Sequence, residues 1–206
     1  MMQQVIAEGT NDHIIISLHG TGGTATSLFE LAHILDPKAT KIGFQGEVSE
    51  NGMNRYFARY PDGSFDLLGL DKATQNLYDS ILEIARKVSP ANKKITIIGY
   101  SNGANLAKNL LKNFSDLPVS TFLLFHPSPI NSDKKFKRQS GVNVLMTSGK
   151  NDSYSSESQF KELETSLLAA LIDVETYTHD QGHQLIQKEI EQAKSFLLKK
   201  MEDFNG

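Results

Sequence analysis

The sequence predicts an α/β protein built on a mostly parallel, doubly wound sheet with helices on both faces. Three observations lead there. Short runs are apolar at successive positions, as in His13-Ile14-Ile15-Ile16-Ser17-Leu18, the pattern of strands buried on both sides. Other stretches repeat apolar residues at steps of three and four, the period of a helix packed along one face. The two kinds alternate along 206 residues with no repeat, low-complexity tract or linker, so one domain spanning 1–206 is expected.

The elements follow in order. The strand His13 to Leu18 precedes a short helix from Ser27 to Leu35, and Lys41 to Phe44 is a weaker strand. Leu70, Ala73, Leu77, Ile81, Ile84 and Val88 mark an amphipathic helix that Pro90 closes, because proline cannot continue one. Lys94 to Ile98 is the next strand and Asn102 to Phe114 its helix. Val119 to Phe125 and Val142 to Thr147 are two more strands. A helix with Phe160, Leu163, Leu167 and Leu171 on one side follows, then a strand from Val174 to Tyr177. The last helix runs from about Gln184 to Met201, with Ile186, Ile190, Ala193 and Leu197 aligned. In sheets of this kind the chemistry lies beyond the carboxyl ends of the strands.

Composition removes several classes of function. A net charge of −3 supplies no field for nucleic acid, and the run Lys134-Lys135-Phe136-Lys137-Arg138 reads as a solvated loop. There is no cysteine, which excludes disulfides, thiol nucleophiles and thiolate metal sites and fits a reducing compartment. No stretch approaches the ~20 apolar residues of a membrane span, and Met1 to His13 lacks the pattern of a signal peptide. A cytoplasmic protein is expected, with no nucleic acid among its partners; a second copy of the chain is left open.

Gly99-Tyr100-Ser101-Asn102-Gly103 fits G-x-S-x-G, with an apolar strand before it and a helical pattern after it. In that frame the motif is a nucleophile elbow, where a serine sits on a sharp turn whose neighbours must be small. Such a serine needs a base, and histidine titrates in the useful range. His13 begins a strand on the side away from the site, and His33 lies within a helix. His19 precedes the serine and is read as shaping a loop. His126, directly before Pro127, could lie near the site but reads as structural. His179 and His183 share the loop between the last strand and last helix, where the base belongs in the order Ser, acid, His. His183 is preferred because Gly182 would let the loop turn inward, with His179 as the alternative. The acid is Asp152, in the loop after the strand Val142 to Thr147, where it would orient the imidazole and stabilise its cation. Asp133 and Asp180 are poorer choices. The expected catalytic set is therefore Ser101, Asp152 and His183.

Acyl transfer also needs donors aimed at the carbonyl oxygen as charge develops there. The backbone N–H of Asn102, after the nucleophile, and that of Thr21, in His19-Gly20-Thr21-Gly22-Gly23, suit this role. The same loop has a rival reading. Gly20-Thr21-Gly22-Gly23-Thr24-Ala25 fits the dinucleotide pattern G-x-G-x-x-G/A, with Glu47 near the place of the ribose-binding acid. That reading leaves Ser101, Asp152 and His183 without a purpose.

These motifs, with Asn51-Gly52-Met53-Asn54-Arg55 and Gln181-Gly182-His183-Gln184, resemble the small bacterial carboxylesterase/phospholipase group of α/β-hydrolases. That group is related to dienelactone hydrolases and acyl-protein thioesterases, and within it the MhqD-like hydrolases are the nearest likeness. The resemblance spans nearly the whole chain. It implies an α/β-hydrolase fold, Ser101, Asp152 and His183 as the triad, and Thr21 and Asn102 as the oxyanion hole. Dienelactone hydrolase itself uses a cysteine nucleophile, so its particular chemistry is not carried over.

The expected activity is hydrolysis of small carboxylic esters through an acyl-enzyme, with no cofactor or metal and a small-molecule ester as the partner. Thioesterase or lysophospholipase activity on the same triad is the alternative. Residues 126–141 are too few for a helical cap, which predicts an open site for short acyl groups. Arg55 and Arg59 could hold a substrate carboxylate at its rim.

Overall fold

The computed structural model describes residues 2–87 and 94–203. In chain order the elements are β1 (Gln4–Ala7), β2 (His13–Leu18), α1 (Phe29–Leu35), β3 (Thr40–Phe44), β4 (Val48–Glu50), β5 (Met53–Arg55) and α2 (Leu67–Lys87). Then come β6 (Lys94–Tyr100), α3 (Asn102–Asn113), β7 (Thr121–Phe125), β8 (Asn143–Gly149), α4 (Glu157–Ala169), β9 (Asp173–His179) and α5 (Gln187–Asp203). The expected end of α2, at Val88 and Pro90, lies outside the described residues.

One sheet has the order β1-β3-β2-β6-β7-β8-β9. Only β1 runs antiparallel, pairing with β3, and every other neighbour is parallel. Parallel strands need crossovers, and helices supply all of these except the one from β7 to β8. Side-chain alternation assigns the faces. Ile14, Ile16, Leu18, Ile97, Phe122, Leu124, Val144 and Met146 pack with Leu77 and Ile81 of α2 and Leu106 and Leu110 of α3. Their neighbours Ile15, Ile98, Leu123, Phe125 and Leu145 pack with Leu31 and Leu35 of α1 and Phe196 and Leu197 of α5. This is the α/β-hydrolase architecture without a cap, since residues 126–142 carry no helix or strand. No described helix is long and apolar enough to cross a membrane.

Some boundaries and elements differ from the sequence reading. β1 and the β4–β5 hairpin were not expected; the hairpin strands are three residues each, too short for a period to show. Leu171 is not on α4. It lies beyond the helix with φ 61° and 57% exposure, and Ile172 takes the buried place instead. Ile186 precedes α5 rather than belonging to it.

Candidate active site

β6 delivers Ser101 to the turn before α3. Its backbone sits at φ 52°, ψ −111°, a conformation that costs a non-glycine residue and turns the side chain out of the sheet edge. The turn is held by Ser101 N–H donating to Phe125 O (2.9 Å) and Asn105 N–H donating to Ser101 O (3.0 Å). A Cβ at Gly103 would collide with the carbonyl oxygen of Leu18, so only glycine lets α3 close on the end of β2. Ser101 Oγ lies 2.8 Å from Nε2 of His183, and Nδ1 of His183 lies 2.7 Å from Oδ2 of Asp152. A carboxylate only accepts, so Nδ1 carries the proton and Nε2 is free to take one from Ser101. The other Asp152 oxygen accepts from Tyr154 N–H at 2.8 Å.

The loop bearing His183 reaches this place through a different glycine than expected. Gly182 has no positive φ, and a Cβ there would meet only Asn151 O at 3.4 Å. At Gly149, the last residue of β8, a Cβ would collide with the carbonyls of Gln181 and Gly182. Tyr100 O–H then donates to His183 O at 3.0 Å, and the Tyr154 ring stands 4.6 Å from the imidazole. His179 takes another position. Its Nδ1 accepts from Gln181 N–H (3.1 Å), and its Nε2 lies 3.3 Å from Glu189 Oε2 without the angle of a hydrogen bond.

Thr21 lies in a loop where the four amides that follow it are taken. Gly22 N–H donates to Asn54 O, Gly23 N–H to Gly20 O, Thr24 N–H to Ser27 Oγ and Ala25 N–H to Gln45 Oε1. The dinucleotide reading needs those amides free and a helix starting directly behind them. Here α1 starts only at Phe29. Among the described residues the N–H groups of Thr21 and Asn102 have no loop or cap hydrogen bond. His19 braces the loop. It lies 2.7 Å from Gly20 O through Nδ1 and accepts from Gly46 N–H (3.0 Å) through Nε2, so it is a neutral ring. Burial pushes its pKa down, against the bond to Gly20, in keeping with that state. Tyr56 O–H donates to Phe44 O and accepts from His19 N–H, while Asn102 Oδ1 accepts from Tyr56 N–H. The segment around Tyr56 thereby ties the Thr21 loop to the helix behind Ser101.

Arg55 and Arg59 both turn to Glu50, each at 3.2 Å, and neither bonds to Ser101, His183 or Asp152. Arg55 is buried and also donates to Phe57 O.

Sequence reasoning allowed His126 near the site as a structural residue but missed its pairing with two carboxylates. His126, held at φ 52° and fully buried, directs Nδ1 to Asp152 Oδ2 at 2.9 Å. Its Nε2 faces the Glu189 carboxylate, 3.1 Å from Oε1 and 3.4 Å from Oε2, with the hydrogen bond aimed at Oε2. Glu189 is sealed at the first turn of α5 and also accepts from Ile186 N–H (2.8 Å). A signal was present: counted from Ile186, Ala193 and Leu197, Glu189 falls on the apolar stripe of its helix. Burial would push the Asp152 and Glu189 carboxyls up, but the His126 bond and the other donors outweigh it and hold both below their ordinary range. His126, Asp152 and His183, and likewise His126, His179 and Glu189, offer donor atoms within 4.8 Å of one another. Hydrogen bonds from the two rings to Asp152 account for the first group, whereas His179 Nε2 in the second is buried without a hydrogen bond; no metal is assigned to either.

A serine on a strained strand-to-helix turn, at the carboxyl edge of a parallel sheet with a histidine at its hydroxyl, defines a hydrolase of the α/β-hydrolase class. The chain belongs to the dienelactone hydrolase family, whose sequence model matches residues 59–197. It is 35% identical over 195 residues to the putative hydrolase MhqD of Bacillus subtilis, covering 95% of this chain and 97% of that protein. Among solved structures it resembles the Bacillus cereus carboxylesterase, with a TM-score of 0.90, 34% identity and 97% and 95% of the two chains covered. It also resembles YahD, solved with malic acid, with a TM-score of 0.83, 28% identity and 97% and 100% covered.

Proposed function

We propose that the chain is a serine carboxylesterase acting on small carboxylic esters, with Ser101 as nucleophile, His183 as base and Asp152 as its orienting acid. The observation that carries this is the unbroken chain of contacts from Ser101 Oγ through the His183 ring to Asp152, next to the two unengaged amides of Thr21 and Asn102. Ser101 attacks the ester carbonyl while its proton passes to His183 Nε2. The tetrahedral oxyanion is met by the Thr21 and Asn102 N–H groups, a contribution of about 3–4 kcal/mol for a single good donor. His183 returns the proton to the leaving alcohol, and water repeats the sequence on the acyl-enzyme to release the acid. The relative named a carboxylesterase supports the ester class.

The substrate is read as small because the 126–142 connection forms no cap and the rim is open. Met53, against the Thr21 loop, and Tyr154, over His183, are exposed apolar side chains suited to short acyl or alkyl groups. A substrate carboxylate would compete with Glu50 for Arg59, the more exposed of the two arginines. The test is fluorophosphonate labelling read by intact mass and peptide mapping, followed by a p-nitrophenyl ester panel. One adduct, on Ser101, is expected, with kcat falling at least ~1000-fold in Ser101→Ala. Acetate or butyrate should turn over faster than palmitate. An adduct elsewhere would overturn the nucleophile. Preference for the long chain or for a thioester would move the substrate class to the lysophospholipase or thioesterase reading.

A further inference from the structure

Among the described residues, His126 is the one ring near the site with a carboxylate at each nitrogen. Asp152 Oδ2 stands 2.9 Å from Nδ1, and the Glu189 carboxylate stands 3.1 to 3.4 Å from Nε2. An ionised carboxylate has only lone pairs to offer, and a neutral imidazole has only one N–H. One face of a neutral ring would therefore set lone pair against lone pair in a place with no access to water. We propose that His126 is a positioning residue held as an imidazolium, which keeps Asp152 ionised and aimed at His183.

The groups around the ring fit that state. Asp152 follows β8, and Glu189 belongs to α5. His179 ends β9 with its ring 5.5 Å away, His183 lies at 5.1 Å and Tyr100 of β6 at 5.9 Å, edge-on. His179 accepts at Nδ1 from a backbone N–H, so it adds no second positive charge there. The charges then read minus at Asp152, plus at His126 and minus at Glu189. The net single negative charge is what a lone acid would present to His183. Burial pushes the pKa of His126 down, but the bonds to Glu189 and Asp152 and their charges more than reverse this and leave it raised. The strained φ of 52° is consistent with a ring held where two anions need it. His126 N–H donates to Thr147 O at 2.9 Å, which fixes the backbone beneath it.

Asp152 consequently has two imidazole partners on one oxygen. His183 shares its proton with a carboxylate already committed to a fixed cation, so Asp152 cannot rotate away when His183 becomes charged in the reaction. Without the cation, Asp152 and Glu189 would be two buried carboxylates with no shared donor, and one of them would take up a proton. A protonated Asp152 would no longer stabilise the His183 cation, and the rate would fall while substrate binding stayed.

The first measurement uses the unaltered protein. Nitrogen-15 chemical shifts of its histidine rings are followed from pH 6 to 9. The His126 ring is expected to keep two protonated nitrogens at neutral pH, where an ordinary histidine has lost one of its two protons. A His126 ring with one unprotonated nitrogen at neutral pH would overturn the proposal, and so would stoichiometric zinc in elemental analysis of the purified protein. The second measurement compares His126→Gln with His126→Gln/Glu189→Gln. The single variant should lose at least about tenfold in kcat with KM little changed, and the acid limb of its rate profile should move to higher pH. The double variant removes one positive and one negative charge together and should return the acid limb toward its original place. If the double variant keeps the displaced limb, charge balance is not what His126 supplies. The inference rests on the Ser101–His183–Asp152 reading, and the two fail separately. Failure of fluorophosphonate to label Ser101 removes the reaction, whereas the nitrogen shifts report the His126 ring alone.

Discussion

His179 and His183 stand four residues apart at the same edge of the sheet, and they differ in what their ring nitrogens reach. His183 reaches Ser101 and Asp152; His179 reaches Gln181 N–H and the sealed Glu189. His183→Ala is therefore expected to lower kcat/KM by about a thousandfold or more, and His179→Ala by less than about tenfold. Both are checked by ester hydrolysis, with circular dichroism to verify folding. The reverse order would assign the proton transfer to His179. That Ser101, Asp152 and His183 would gather at one edge of the sheet was legible in the sequence, because each follows a strand. The pairing of His126 was not, since its partners Asp152 and Glu189 lie 26 and 63 residues away. No local pattern links a histidine before a proline to a glutamate on the last helix.

Among the elements, α3 is the one whose sequence hides its surroundings. Its lysines look like solvent-facing residues, yet Lys108 and Lys112 are only 2% and 3% exposed. Both are turned onto the carbonyls that follow β7. Lys108 donates to Ser128 O, and Lys112 donates to Asn131 O (2.5 Å) and Ile130 O (3.4 Å). The uncapped connection is thus clamped from below by amines. Burial pushes Lys112 down to about 8, helped by the nearby Lys134 and opposed by Asp133. Between that value and its ordinary 10.5, the unfolded chain holds a proton that the folded chain has released, so this lysine makes stability rise with pH. Lys112→Met should flatten that rise. The difference in unfolding free energy between variant and wild type, measured in urea at pH 7 and 9.5, should change on the order of 1 kcal/mol. No change across that range would mean that Lys112 stays charged in the fold. The inner parallel strands β2, β6, β7 and β8 were legible from their apolar runs; β1 and the β4–β5 hairpin were too short, and too exposed on their outer positions, to announce themselves.

At the scale of the whole molecule, the large sheet and the small hairpin carry very different amounts of cohesion. Strands β2, β6, β7 and β8 are buried between helices on both faces, whereas β4 and β5 form a separate two-stranded ribbon. Two short strands by themselves are marginal in water. Yet Asn54 in that ribbon accepts from Gly22 N–H and donates through its side chain to Gly23 O, and Tyr56 just beyond it anchors His19. Fraying of the ribbon would leave the sheet standing while the loop bearing Thr21 drifts. Heat should therefore silence the protein before it melts it. The residual rate on a p-nitrophenyl ester is expected to reach half its value several degrees below the midpoint of the circular dichroism transition, and to recover on prompt cooling from that interval. Coincident midpoints would show that the ribbon and the sheet give way together. A disulfide stapling β4 to β5 would then do nothing for endurance; with separated midpoints, it would raise the upper working temperature without moving the melting point.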